Sequence, residues 1–382
     1  MTRIAVNPDL LQWAAERARL EEPVFTRRFP KWREWLSGDI QPTLRQLEDF
    51  ARFTHVPFGY FFLPEPPAIG LPVPDFRTVR DTVLEEPSAE LLDTIYLCQQ
   101  RQDWFREYAI LHGLPRVEWV GSLSADLPIE RAASLLREAL AISIDARRQL
   151  STWTDALRQL IGLAEQAGVL MMASSIVGSN PHRKLDVSEV RGFALVDDQA
   201  PLVFLNAGDS KAAQMFTLAH ELAHIGLGES GVSNSQAGVV PDLAAERWCN
   251  QVAAEILMPL ADLRLLVDRD ESITQTIQRL AREFKVSTLV ALRRLFDAGQ
   301  IDENTLWRTY QEELERLKQY ERSSGGGDFY RTLGARTGKR FAHALVANTL
   351  EGQTLFQDAF RLLGVRNTET FYHAARELGV TA

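Results

Sequence analysis

The chain has little cysteine and no long apolar run. Its 382 residues include two cysteines, Cys98 and Cys249, which lie far apart in the sequence. A disulfide framework is therefore not expected, and this composition suits a reducing cytoplasm. No apolar stretch approaches the roughly 20 residues needed to cross a bilayer, and the N-terminus lacks the apolar core of a secretory signal. We therefore expect a cytoplasmic protein without a membrane partner.

Positive charge is also in short supply. The 42 lysines and arginines are outnumbered by 51 aspartates and glutamates, which gives a formal net charge of -9. This balance argues against nucleic-acid binding by bulk electrostatic attraction, although it does not exclude a local basic face. The hydrophobic share of 45% is ordinary for a globular protein, and the length predicts two or three domains.

Histidine is scarce, yet two of the seven histidines lie four residues apart. In residues 216–224, His220, Glu221 and His224 form the pattern His-Glu-x-x-His. The surrounding pattern predicts one helix over Lys211–Leu227, which would place both imidazoles on one face, close enough to share one Zn²⁺. Glu221 would then point toward the same site, where it could accept a proton from an attacking water.

A third metal ligand is needed, because a hydrolytic zinc site usually takes three protein ligands and leaves a fourth position for water. A second predicted helix, residues 243–257, offers Glu246 and Glu255, which lie about 180° apart around it, so both can hardly face one metal. Glu246 is preferred, with Asn250 one turn later as a hydrogen-bond partner for a ligand side chain. Glu255 is the alternative ligand or else a paired or exposed carboxylate, and Asp242 is a further candidate outside the helix.

Two β-rich runs precede the metal-motif helix. Residues 192–196 and 201–206 are separated by a link of hairpin length and turn composition, and residues 168–174 predict another short strand. Residues 201–206 are expected to offer an exposed strand edge, with which an extended peptide substrate could pair. Because helical patterns fill most of the remaining chain, the predicted fold class is mainly α with a small β-sheet, an α+β fold.

These residues together resemble the ImmA/IrrE family of metallopeptidases. The resemblance is carried by Phe-Thr-Leu-Ala-His-Glu-Leu-Ala-His at residues 216–224, by Glu246, and by the Cys-Asn and Ala-Ala-Glu-Ile-Leu-Met-Pro segments within residues 249–259. It covers about residues 160–300 and implies a gluzincin-like domain with Glu246 as the third zinc ligand. Members of the family are associated with cleaving or relieving a helix-turn-helix repressor, often in phage, stress-response or toxin–antitoxin regulation.

The N-terminal residues resemble the XRE-type helix-turn-helix domains that are fused to such proteases. Residues 35–48 and 56–67 carry this resemblance. This sequence departs from the XRE-type pattern before Trp35. The segment there is too short for both a full second helix and a full recognition helix, and Pro30 interrupts it. A protein-docking role is the alternative to DNA binding. The candidates for phosphate contacts are the cations of this segment, Arg27, Arg28, Lys31 and Arg33.

Two functional hypotheses follow. The first is a zinc-dependent endopeptidase that acts on a protein partner, a transcriptional repressor or an antitoxin or toxin. The alternative is a DNA-binding regulator or antitoxin whose zinc fold is a binding or sensing module. Residues 277–296 also have a helix-turn-helix rhythm, for which a plain packed helical pair is favoured. The expected organisation is an XRE-like domain (1–64), a proline-rich connector (65–87), a metallopeptidase-like domain (88–260), a helical, helix-turn-helix-like region (261–322) and an α-rich cap (323–382).

Overall fold

The structure, a computed structural model, describes residues 3–75, 86–233, 244–268, 270–320, 334 and 336–380. The chain divides into two compact units. Unit 1 comprises Met1–Pro72 and Thr82–Ile95, and unit 2 comprises Val73–Asp81 and Tyr96–Ala382.

Unit 1 is a small helical domain with an aromatic core. Thr43 caps the helix Leu44–Thr54 with a capping box, in which its hydroxyl and the side chain of Gln46 satisfy each other's backbone amides. The ring of Phe50 lies at the centre of the core, 5.2 Å from the ring of Trp32 and 5.6 Å from that of Phe61. The helices are α1 (Pro8–Arg17), α2 (Glu22–Arg28), α3 (Trp32–Leu36) and α4 (Leu44–Thr54), followed by a 3-10 turn (Phe58–Phe62).

The rest of the described chain contains further helices and one small sheet of four strands. The helices are α5 (Ala89–Leu111), α6 (Ile129–Ala139), α7 (Ile144–Arg148), α8 (Trp153–Gln166), α9 (Lys211–Leu227), α10 (Ala244–Leu257), α11 (Leu260–Leu266), α12 (Ile273–Phe284), α13 (Thr288–Asp297), α14 (Glu303–Tyr320), α15 (Lys339–Leu350), α16 (Phe356–Leu363) and α17 (Thr368–Glu377). The strands are β1 (Leu170–Ser174), β2 (Gly192–Leu195), β3 (Leu202–Asn206) and β4 (Gly231–Ser233). The predicted fold class, mainly α with a small sheet, is confirmed.

The strand order is β1-β3-β2-β4, with β1 parallel to β3 and the other pairs antiparallel. The predicted hairpin is confirmed, with Gly192 opposite Leu205. The expectation that residues 201–206 offer an exposed edge is wrong. Strand β3 pairs with β1 on one side and β2 on the other, and all five of its residues are buried. Its continuous apolar run is that of a central strand covered on both faces.

Helix α9 lies at the centre of unit 2. It packs against β2 and β3, against α8, and most extensively against α10. Every residue from Gln214 to Gly226 is buried, because helices or strands surround the middle of α9 on all sides. This is the environment in which the two motif histidines are held.

Helices α12 and α13 pack against each other and present apolar residues to the same core. Arg294 of α13 is 3% exposed, donates to the carbonyl of Met258 at 2.9 Å and forms a buried ion pair with Glu255. Arg294 thus connects α13 to the C-terminal end of α10. These contacts favour the interpretation as a packed helical pair over a second helix-turn-helix. Among the helices of the described ranges, none combines the length and apolarity that a bilayer-spanning segment needs.

Candidate metal centre

Helix α9 has the bounds that the sequence predicts, and its two ends have clear local causes. It begins at Lys211 because the hydroxyl of Ser210 accepts the amide of Ala213 at 3.2 Å. It ends at Leu227 because Gly228 takes a φ of 80°, a left-handed conformation that glycine adopts without steric cost. These ends place the His-Glu-x-x-His motif well inside the helix.

Three side chains converge on one point between α9 and α10. The Nε2 atoms of His220 and His224 are 3.1 Å apart. The carboxylate of Glu246 reaches both, with Oε2 at 3.3 Å from His220 Nε2 and Oε1 at 2.8 Å from His224 Nε2. One ligand atom of each residue lies within 4.8 Å of the others, and all three residues are buried.

This donor set fits a tetrahedral metal ion. For bonds of about 2.1 Å, tetrahedral geometry separates neighbouring donors by roughly 3.4 Å, close to the separations of 2.8 to 3.3 Å found here. Two imidazoles and one carboxylate are a set that suits Zn²⁺ and leaves a fourth position for water. The Nδ1 atom of His220 is buried without a hydrogen-bond partner, whereas its Nε2 faces the other donors. The predicted triad is therefore assembled, and its residues can hold a metal.

The carboxyl group of Glu246 is kept ionised by its two neighbours. Burial by itself would raise its pKa, but hydrogen bonds to His220 and His224, and the charge of these imidazoles, outweigh burial and lower the pKa to about 2. An ionised carboxylate at this position supplies the negative charge that a divalent cation requires in a buried site.

Glu221 lies on the face of α9 that meets the start of β2. It is fully buried, and a Cβ atom added at Gly192 would lie 3.4 Å from its Oε1 atom and 2.6 Å from the methyl of Thr217. The Thr217 methyl and the carbonyl oxygen of Phe204, which a Cβ would meet at 2.8 Å, leave room only for glycine here, and the Glu221 carboxylate lies beside it. Sequence reasoning missed Gly192. The signal was a glycine at the start of an otherwise apolar strand, a position that often marks a close approach.

The other predicted residues of α10 are placed differently. Asn250 follows Glu246 by one turn, but its side-chain oxygen and nitrogen are buried without hydrogen-bond partners, so the predicted bond to a ligand is not formed here. Glu255 accepts the amide of Leu260 at 3.2 Å and pairs with Arg294, which makes it the paired carboxylate of the two alternatives. Asp242 lies outside the described residues.

The predicted phosphate-contacting residues lie together on unit 1. Arg27 and Arg28 end α2, Lys31 precedes α3, and Arg33 lies in its first turn; all four are exposed. Arg33 forms an ion pair with Glu22 at 3.0 Å. Within the described ranges, Arg27, Arg28 and Lys31 form no ion pair, and they remain candidates.

Residues 155–296 match the family model described as the IrrE N-terminal-like domain, a peptidase family. The match contains the metal triad and Glu221, and it continues through α12 and most of α13, across the predicted boundary at residue 260. Residues 337–377 match a domain of unknown function. No curated protein matches the chain. Neither family match covers residues 1–64, so the helix-turn-helix assignment stays a prediction.

Proposed function

We propose that the chain is a zinc-dependent endopeptidase that cleaves a protein partner. The convergence of His220, His224 and Glu246 next to Glu221 carries the proposal. It is supported by the match of the surrounding segment to a peptidase family. The spacing of the donors and their chemistry favour Zn²⁺ over the oxygen-preferring cations Mg²⁺ and Ca²⁺.

The chain's own residues would divide the work of hydrolysis. Zinc, when bound, polarises a scissile carbonyl and makes water more acidic. Glu221 is adjacent to the first ligand and would accept the proton of the attacking water, then deliver it to the leaving amine. Gly192 would let the segment of α9 that carries Thr217 and Glu221 pack closely against β2. Glu246 would hold negative charge in the site at any physiological pH, since its pKa is about 2.

An extended substrate would be presented by the sheet at β4 rather than β3. Strand β4 is last in the order of the four named strands, and its Ser233 lies in register with Gly192, the residue packed against Glu221. A peptide that pairs with β4 would therefore be separated by one strand, β4 itself, from the start of β2, where Glu221 lies. Pairing of this kind gives affinity through main-chain hydrogen bonds.

The proposed partner is a transcriptional repressor, an antitoxin or a toxin. The support is the ImmA/IrrE resemblance of residues 216–259 and the helix-turn-helix-like succession of short helices in unit 1. The product of an adjacent gene that encodes a small repressor or toxin is the first substrate to assay.

The test is the substitution Glu221→Gln, with Glu229→Gln as its matched control. Glu229 lies just beyond the end of α9 and is exposed, so the same chemical change there leaves the site untouched. We expect both variants to bind about one zinc per chain. We expect only Glu221→Gln to lose hydrolysis, by roughly 100-fold or more, the usual contribution of a general base. Full activity of Glu221→Gln would refute the catalytic role.

A DNA-binding regulator is the second candidate, favoured by three exposed cations of unit 1 that lack ion-pair partners in the described ranges, namely Arg27, Arg28 and Lys31. It predicts salt-sensitive binding to the DNA upstream of its own gene, lost when the three are replaced together by alanine. No binding of the unaltered chain to that DNA at moderate salt would argue against this candidate.

A further inference from the structure

The outer edge of β4 carries a segment of the chain itself. The amide of Val232 donates to the carbonyl of Pro74 at 3.0 Å, and Asp75 pairs with Val232 in a parallel bridge. We name residues 73–75 the connector strand, because they end the proline-rich stretch of the sequence. On its other side, Val232 lies opposite Phe193 of β2. Its amide is directed away from β2 and toward the connector strand.

The connector strand lies where the proposed substrate would pair. A peptide added to the sheet beyond β4 would need the same Val232 amide that Pro74 now accepts. Ser233, the next residue of β4, is in register with Gly192, which contacts Glu221. The connector strand and a substrate would therefore compete for the same edge of β4. The contested residue, Val232, is one residue from Ser233, which lies in register with Gly192 beside Glu221.

Two prolines, one just before the connector strand and one within it, affect its pairing with β4 in opposite ways. Pro72 and Pro74 restrict the backbone to extended conformations, which lowers the entropy lost when the strand pairs. Pro74 has no amide hydrogen, so it accepts a bond from β4 but donates none. A partner segment with an amide at the position of Pro74 would offer a hydrogen-bond donor that the connector strand lacks there.

The histidine ligands and Glu221 are buried in the same structure. His220 and Glu221 are 0% exposed and His224 is 1% exposed. A peptide bond cannot reach groups that water does not reach. The connector strand therefore occupies the edge of β4 in a structure whose metal triad and Glu221 are buried.

We propose that the connector strand is an internal competitor that keeps the peptidase latent until an extended segment of the protein partner displaces it from β4. This inference rests on the proposed function. It assigns the connector a regulatory role at the substrate edge, in addition to its role as a link.

The test loosens the connector strand without touching the site. In the variant Pro72→Gly/Pro74→Gly, two restricted residues become flexible, and the paired state should weaken roughly fivefold or more. The matched control is Pro66→Gly/Pro67→Gly, which adds the same flexibility to the connector outside the paired segment. All three full-length, zinc-loaded proteins are assayed on fluorescein-labelled casein and on a random-sequence decapeptide library. Hydrogen exchange of the Val232 amide is measured in each protein.

We expect the Pro72/Pro74 variant to show faster exchange at Val232 and hydrolysis raised by a similar factor, with the control equal to the unaltered chain. Equal hydrolysis by all three proteins, despite faster exchange, would overturn the inference while leaving the proposed function intact. Unchanged exchange at Val232 would also overturn it, since the amide would then be protected by something other than the connector strand. Absence of hydrolysis by all three, with zinc bound, is the separate failure of the proposed function, and the inference fails with it.

Discussion

At the scale of single residues, the site depends on one close approach that the motif does not contain. Helix α9 can lie this close to β2, with Thr217 and Glu221 beside Gly192, because Gly192 lacks a side chain. His220 and His224 were predictable because helical spacing fixes which side chains share a face, and Glu246 was preferred among the candidate third ligands with the support of the family resemblance. Gly192 was not predictable, because its contact with Glu221 joins residues 29 positions apart through the tertiary fold.

We expect Gly192→Ala to damage both stability and function. The added methyl would lie 2.6 Å from the Thr217 methyl and 2.8 Å from the carbonyl oxygen of Phe204, so backbone and side chains must shift. Overpacking of this kind costs about 1–3 kcal/mol of unfolding free energy. Chemical denaturation measures that cost, and peptide hydrolysis should fall at least about tenfold, since displacement of a catalytic group by even 1 Å is costly.

Gly162→Ala is the control for this change. Gly162 lies within α8, and a Cβ there would meet nothing within 4 Å. Alanine should therefore stabilise the helix by up to about 1 kcal/mol and leave hydrolysis unchanged. Equal stability losses for the two alanine variants would show that the contacts at Gly192 are not the cause.

At the scale of helices and strands, local signals located the elements, but their pairing depended on distant residues. Ser210 and Gly228 set the ends of α9 as sequence rules predict. The apolar run of β3 predicted a strand correctly, and its continuous apolarity fits a central strand, but it did not identify the neighbouring strands. That position depends on the parallel pairing with β1, which begins 32 residues earlier, at Leu170 opposite Leu202.

The buried ion pair between α10 and α13 gives a prediction at this scale. Arg294→Met removes one partner and leaves the carboxylate of Glu255 buried without the cation that pairs with it. Such a loss typically costs about 3–5 kcal/mol of unfolding free energy. The double variant Arg294→Met/Glu255→Leu removes both charges and should recover most of that cost, as measured by urea denaturation.

Arg293→Met is the matched control, since Arg293 pairs with Asp297 at a partly exposed position. Loss of this pair should cost no more than about 1 kcal/mol. If the Arg294 and Arg293 variants were equally stable, the pair at Glu255 would not be what fixes α13 to α10.

At the scale of the whole molecule, the sequence predicted an α+β fold around a metal triad, and the structure has both. The pairing of residues 73–75 with β4 could not be predicted, because about 160 residues separate the partners and a proline-rich stretch indicates a connector rather than a strand. The order of the strands in the sheet could not be predicted either, because it depends on contacts between strands and not on the sequence of any single strand.

Metal binding should increase the thermal stability of unit 2. A ligand that binds only the folded state at 100 times its dissociation constant adds about 2.7 kcal/mol. We therefore expect zinc to raise the melting temperature of the full chain in proportion to the logarithm of its free concentration. Glu246→Gln should abolish most of that rise, and Glu229→Gln should retain it. A rise of equal size in both variants would place the metal elsewhere.

The most direct test of the central claim is the appearance of new peptide termini. The metal-free chain, the chain restored with one equivalent of zinc, and zinc-loaded Glu221→Gln are each incubated with a random-sequence decapeptide library and with the product of the adjacent gene. Mass spectrometry then counts the cleaved bonds. New termini should appear only with the zinc-restored unaltered chain, and their equal appearance with Glu221→Gln or without metal would contradict the account.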